Sequence, residues 1–193
     1  MRCKTDNFQP GAYFHFYNRA INDERIFHNK EDYILLLKKL KSVTKKIPTT
    51  IFAYCLMPNH FHFLIRQDDE IPAYKIFNNL FSYYVQMFNK KYNRKGRLFQ
   101  GKLQHKLVTN EKYLIYLCQY IHNNPLKANI VKRLEDWEFS NYLEWIGSRN
   151  GTLFDNELLQ TYFINANNYA DSIKEYEQHI KDKEFVDILM DYY

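Results

Sequence analysis

Apolar and polar positions alternate along this chain with two different periods, and the switches between them divide it into elements. Gly11 to Asn18 (Gly-Ala-Tyr-Phe-His-Phe-Tyr-Asn) reads as a strand, rich in aromatics and closed by a polar turn. After Asn29, a residue type suited to capping, Tyr33, Leu36, Leu37, Leu40 and Val43 recur at helical spacing up to Ile47-Pro48. A hairpin is expected next, with strands Thr49 to Leu56 and His60 to Arg66 around the turn Met57-Pro58-Asn59. Pro72 suits the first turn of a long helix whose buried stripe is Phe77, Leu80, Phe81, Tyr84, Phe88 and Tyr92. Leu103 to Val108 is short enough to be a fourth strand.

The order β-α-β-β-α-β predicts an α+β fold, a ferredoxin-like split βαβ antiparallel sheet with two helices on one face. Within the strand from His60, successive side chains point to opposite faces, so Phe61, Phe63 and Ile65 share the helix-covered face and His60 and His62 share the other. That second face needs its own cover. The next helix supplies it: Asn110 can cap it, and Tyr113, Leu114, Leu117, Tyr120 and Ile121 form its apolar stripe. Its end is expected at Asn124-Pro125, since a residue before proline is pushed out of the α region. Tyr120 and Asn124, four apart, lie on one side of it. We therefore expect residues 1–150 to form the main domain. Residues 151–193, with helical patterns over Asn156 to Phe163 and Asn168 to Ile180, would be a C-terminal helical extension.

Charge sharpens this division. The net charge of +5 says little by itself, but residues 1–150 hold 24 basic and 13 acidic residues, whereas 151–193 hold three and nine. A polyanion would therefore bind the first part. Lys90, Lys91, Arg94, Lys95, Arg97 and Lys102 crowd around Gly96 and make the densest basic stretch. Taken alone, such a cluster reads more readily as a solvated helix end and loop. The 17 tyrosines and 15 phenylalanines are mostly core material, with base stacking open to a minority. The cysteines Cys3, Cys55 and Cys118 lack CxxC spacing and argue against a disulfide framework or a thiolate zinc site. No run approaches the roughly 18 apolar residues of a membrane helix, and the first residues lack the apolar core of a signal peptide. A cytoplasmic protein without a membrane partner is expected.

Two imidazoles in a strand, a tyrosine and an amide on a covering helix, and a nearby basic loop could make a metal-assisted phosphodiester site. Neutral imidazoles and an amide oxygen leave coordination positions open for phosphate oxygens. Each piece has a plainer reading: histidines hydrogen-bonded at a sheet surface, a core tyrosine, an asparagine that stops a helix. His15, His28, His105, His122 and His179 show no pairing at metal spacing and are read as ordinary. Order alone does not show that these groups converge, and a metal-dependent phosphoesterase using water would also fit the histidine pair.

Three segments nonetheless resemble a known family when taken together: Tyr54-Cys-Leu-Met-Pro-Asn-His-Phe-His-Phe-Leu-Ile65, Gly96-Arg-Leu-Phe-Gln-Gly-Lys102 and Tyr120-Ile-His-Asn-Asn-Pro-Leu-Lys-Ala128. They are similar to the single-tyrosine HUH transposases of the insertion-sequence-200-like superfamily, and within it to the REP-associated tyrosine transposases. Phe14-His-Phe-Tyr-Asn-Arg19 and Asp136-Trp-Glu-Phe-Ser-Asn-Tyr142 fit the same clade, so the resemblance spans roughly residues 11–146. It implies a ferredoxin-like nuclease and strand transferase acting on single-stranded DNA with hairpin or palindromic repeats, as a monomer or homodimer. His60 and His62 would match the metal ligands, Asn124 the residue completing the set, and Tyr120 the nucleophile. Arg19 and the basic loop would contact DNA. The implied cofactor is a divalent metal, Mg2+ or Mn2+, and the implied intermediate is a 5′-phosphotyrosine. A catalytically inactive or domesticated hairpin-binding protein is the alternative. Ala20 departs from the pattern, since many relatives place glycine after the arginine.

Overall fold

In the computed structural model, which describes residues 8–153, 161–163 and 165–179, four strands form a single antiparallel sheet. They are β1 (Tyr13–Arg19), β2 (Thr49–Leu56), β3 (His60–Gln67) and β4 (Gln104–Val108), in the order β2-β3-β1-β4. Helices α1 (Lys30–Thr44) and α2 (Ala73–Lys91) cross between the strands, and α3 (Glu111–Lys127), α4 (Tyr142–Trp145) and α5 (Ala166–His179) follow. This is the α+β, split βαβ arrangement that the periodicities predict.

The sheet separates two cores. On one face, Phe14, Phe16, Tyr54, Leu56, Phe61, Phe63 and Ile65 pack under Leu36 and Leu40 of α1 and Ile76, Phe77, Leu80 and Phe81 of α2. Its aromatic contacts are close: the rings of Phe16 and Phe77 stack at 4.5 Å and those of Phe61 and Phe81 at 3.9 Å. Each such burial is worth about 1.5–3 kcal/mol relative to exposure. On the other face, Phe52, Ala53, Cys55 and Leu64 pack under Leu114, Leu117 and Ile121 of α3, with Trp145 and Tyr169 beyond. Phe52 and Ala53 both belong to this second core because β2 is bulged there: its register against β3 shifts between Ile51 and Ala53.

Local chemistry places the helices. Asn29 caps α1 in a reciprocal capping box with Asp32, and the Asn110 side chain accepts from the Tyr113 amide at 2.8 Å. One boundary departs from the sequence-based expectation: α3 runs past Asn124-Pro125 to Lys127. Pro125 brings no N–H for the Ile121 carbonyl, but the Asn124 side-chain amide turns back onto the Tyr120 and Ile121 carbonyls, at 2.8 and 3.5 Å, and fills the gap.

The outer edge of β2 is closed by residues 139–141. The Leu56 amide donates to the Phe139 carbonyl at 2.9 Å, and Cys55 bridges Ser140. The buried Asn141 side chain accepts from the Tyr54 amide at 2.7 Å and donates to the Phe52 carbonyl at 2.8 Å. His122 of α3 bonds the same amide oxygen at 2.8 Å through Nε2 and meets the Tyr169 hydroxyl of α5 through Nδ1. Thus α5 is tied to α3, with Tyr169 and Ile173 buried in the second core. The Asn156–Phe163 pattern lies largely outside the described residues, as does Cys3; Cys55 and Cys118 are free, buried thiols. No helix among the described residues is long and apolar enough to cross a membrane.

Candidate active site

The antiparallel register of β1 and β3 sets Tyr17 opposite His62 and Arg19 opposite His60. All four side chains therefore point to the α3 face of the sheet. There, His60, His62, Tyr17 and Arg19 line a cavity of about 380 Å3 whose other wall is Tyr120, Asn124 and Lys127 of α3. Helical spacing puts those three residues on one side of α3, above the strands.

Both imidazoles are held through the same ring nitrogen. His60 Nδ1 is bonded to the Asn59 side-chain oxygen at 2.7 Å, and His62 Nδ1 to His15 Nε2 at 3.0 Å. On each ring Nε2 is the nitrogen outside these two contacts. The Asn124 amide nitrogen is anchored on the Tyr120 carbonyl, and its side chain also bonds the His60 ring. The Tyr120 ring stands edge-on to His62 with centroids 5.5 Å apart, and the Lys127 ammonium lies 5.8 Å from the Tyr120 ring centre.

Burial governs the electrostatics. It pulls His60 down to about 4 against an opposing hydrogen bond to the Asn124 side chain, with Arg19 pushing the same way as burial. His62 is held well below the ordinary imidazole value by burial and by His15, and His15 falls to about 3 through burial and Lys106. All three rings are neutral at pH 7, the state in which an imidazole can ligate a metal. Tyr17 is pushed up by burial and then by the nearness of Tyr120.

The donors present fit a divalent cation: two neutral imidazoles and one amide oxygen converge on one half-buried cavity. Among the described residues no group of three or more His, Cys, Asp and Glu could hold a metal, so this set carries no carboxylate. Most of the coordination sphere would be left for water or phosphate oxygens, which is the open kind of site that chemistry requires.

The basic residues singled out in the sequence divide into three groups. Arg19 lines the cavity, beside an exposed ion pair to Asp23 at 2.9 Å. Arg97 and Lys102 line an adjoining groove of about 600 Å3 with Phe61, Phe81 and Phe99, and Asn18 borders both spaces. The loop carrying them is pinned to the end of β1: Ile21 N donates to Leu98 O at 3.1 Å and Gln100 N to Arg19 O at 2.8 Å. Gly96, at φ +91°, makes the turn into it. Lys90, Lys91, Arg94 and Lys95 line neither space. Lys91 pairs with the buried Asp32 at 2.7 Å and Arg94 with Glu24 at 2.9 Å. Ala20 adopts an extended conformation, φ −64° and ψ 152°, so glycine is not needed there. The left-handed backbone falls on Asn22 and Asp23 instead.

His15, Tyr17, Lys127 and His122 were not visible as functional or structural partners in the sequence. For the first two the signal existed: Phe14-His-Phe-Tyr-Asn-Arg19 alternates like β3, which places His15, Tyr17 and Arg19 on one face.

With this geometry in hand, the chain belongs to the IS200-like transposase family, whose family model matches residues 9–124. The matched segment runs from just before β1 to Asn124 and holds both histidines and the tyrosine. More particularly, the chain is similar to a Haemophilus influenzae protein described as a REP-associated tyrosine transposase, with 27% identity over 113 residues. That match covers 53% of this chain, and the chain spans only 64% of the relative's length. Among solved structures it is similar to a REP-associated tyrosine transposase bound to a REP hairpin. The TM-score is 0.62 at 19% identity, over 80% of this chain and 94% of that one, a likeness of fold.

Proposed function

We propose that this protein cleaves and rejoins single-stranded DNA at hairpin or palindromic, REP-like sequences, with Tyr120 as nucleophile and a divalent metal at His60, His62 and Asn124. The observation that carries this reading is the convergence of those four side chains on one cavity. The Tyr120 hydroxyl attacks the scissile phosphorus; a Tyr–O–P bond forms as the P–O3′ bond breaks, leaving a 5′-phosphotyrosine and a free 3′-hydroxyl. The phenol loses one proton and the departing 3′ oxygen gains one, so the step is proton-neutral. Attack by another 3′-hydroxyl on the phosphotyrosine reverses it, and the bond energy retained in the link removes any need for ATP.

When bound, Mg2+ or Mn2+ would supply Lewis-acid neutralisation of the non-bridging phosphate oxygens. Two imidazoles favour the softer Mn2+ over Mg2+. The protein's own part is orientation: Arg19 and Lys127 offer cations to the phosphates at the cavity rim, and α3 holds the Tyr120 ring against the ligand pair. Tyr120 and both histidines line one cavity of one chain, which supports a monomer that uses its own tyrosine. Residues 1–150 act as the nuclease unit, in the cytoplasm, and within the following extension the helix α5 braces α3 through Tyr169.

Incubation with a labelled hairpin oligonucleotide from the repeats flanking its gene and Mn2+ should yield an SDS-stable adduct. Chelation should abolish it, as should the paired substitution His60→Ala with His62→Ala. An adduct that survives both treatments would refute the metal assignment, and salt-sensitive binding with no adduct under any metal would identify a hairpin-binding protein without catalysis.

A further inference from the structure

We infer that His15 is a positioning residue that selects the tautomer of His62, keeping the His62 proton on Nδ1 so that Nε2 offers its lone pair to the cavity. The inference rests on the metal reading given above and goes beyond its ligand set. Its basis is the 3.0 Å contact between His15 Nε2 and His62 Nδ1, deep in the second core, where both rings are about 4% exposed.

Two ring nitrogens at that distance share one hydrogen. If His15 Nε2–H donates, His62 must carry its own proton on Nε2; that nitrogen is then a donor and cannot ligate. If His62 Nδ1–H donates to a bare His15 Nε2, the nitrogen facing the cavity is free. Ligation by His62 and acceptance by His15 are therefore the same choice. Metal-bound histidines are commonly oriented by an acceptor on the second ring nitrogen, usually a carboxylate or carbonyl. His60 follows that pattern, since its partner is the Asn59 amide oxygen, which can only accept. His62 is different, because its partner is another imidazole that could do either.

The His15 ring is held for this role by its neighbours. Its ring packs on Tyr17 with centroids 4.9 Å apart and lies edge to edge with His62 in nearly the same plane, so rotation would cost both the Tyr17 contact and the bond to His62. His15 itself lines none of the cavity wall, so it acts only through His62.

The test combines Mn2+ binding with a reading of the imidazole protons. Titration of Mn2+ alone, followed by electron paramagnetic resonance, should show His15→Phe weakened about 10–100-fold, the usual cost of losing such a partner. His15→Gln, whose side-chain oxygen can accept from Nδ1–H, should stay close to wild type. Long-range 15N NMR of the metal-free wild type should show His62 protonated at Nδ1, and the proton should move to Nε2 in His15→Phe. The wild-type spectrum answers the question even if His15→Phe does not fold. His62 protonated at Nε2 in the wild type would overturn the inference, as would tight Mn2+ binding by a folded His15→Phe. Wild type binding Mn2+ no better than the variant combining His60→Ala with His62→Ala would instead overturn the metal reading, and this inference with it.

Discussion

The two faces of β3 differ in chemistry although they alternate residue by residue. Phe61, Phe63 and Ile65 enter a core made almost wholly of aromatic and aliphatic side chains under α1 and α2. His60 and His62, one position away from each, face α3, where buried polar groups gather: His15, His122, Asn123, Asn124 and Asn141 are all less than a tenth exposed. The first face gives the sheet its stability. The second places costly polar groups on a scaffold that the first has already fixed, and each of the hydrogen bonds from His62, His122, Asn124 and Asn141 offsets part of that cost.

This contrast can be broken most strongly at Phe63. Phe63→Ala should destabilise the protein by about 3–5 kcal/mol in urea unfolding, as a large cavity opens in the dry core. His62→Ala should lose only about 1–2 kcal/mol, mainly from leaving His15 without its partner. Equal losses would dissolve the distinction between the faces.

Asn141 probes the polar face where it is structural. Asn141→Ala strands the Tyr54 amide and His122 Nε2 and leaves the Phe52 carbonyl only the bond from Trp145 Nε1, at an expected cost of about 2–3 kcal/mol. Hydrogen exchange should show the β2 edge opening first.

Acid should weaken the same face. His15, His60 and His122 are depressed in the native state, to about 3, 4 and 4, chiefly by burial. The unfolded chain takes up protons on them near its ordinary value of about 6.5 while the native chain does not. Stability is therefore full above that pH and is lost as pH falls toward 4, by on the order of 1 kcal/mol per pH unit for each histidine. Urea midpoints at pH 7 and pH 5 measure it; unchanged midpoints would mean these rings are not buried neutral.

The smallest effects concern DNA. Neutralising Arg97 and Lys102 should lower the salt slope of single-strand binding by about 0.7 for each phosphate that is no longer neutralised. Lys91→Ala and Arg94→Ala should change it less, because those side chains are already engaged by Asp32 and Glu24. A larger change from the second pair would move the DNA path to the end of α2.

Much of this was legible in the sequence because it depends on local period. Strand alternation separates Phe61 from His62, and helical spacing joins Tyr120 to Asn124, without any knowledge of tertiary contacts. What escaped depends on partners distant in the chain. The bulge at Phe52 is hidden in the wholly apolar run Ile51-Phe-Ala-Tyr54, where no alternation can slip visibly. The continuation of α3 past Pro125 depends on the Asn124 side chain reaching back to carbonyls. The role of His15 follows from the β1–β3 register, which sets the two strands side by side. The placement of Arg97 beside the cavity region depends on aperiodic loop backbone bonding to Arg19 and Ile21.

We propose Tyr120, beside the histidine pair, as the nucleophile. The most direct test compares SDS-stable adduct formation on a hairpin oligonucleotide with Mn2+ in wild type, Tyr120→Phe and Tyr17→Phe, each verified as folded. An adduct is expected in wild type and Tyr17→Phe and none in Tyr120→Phe; an adduct in Tyr120→Phe, or its loss only in Tyr17→Phe, would rule out Tyr120 as the nucleophile.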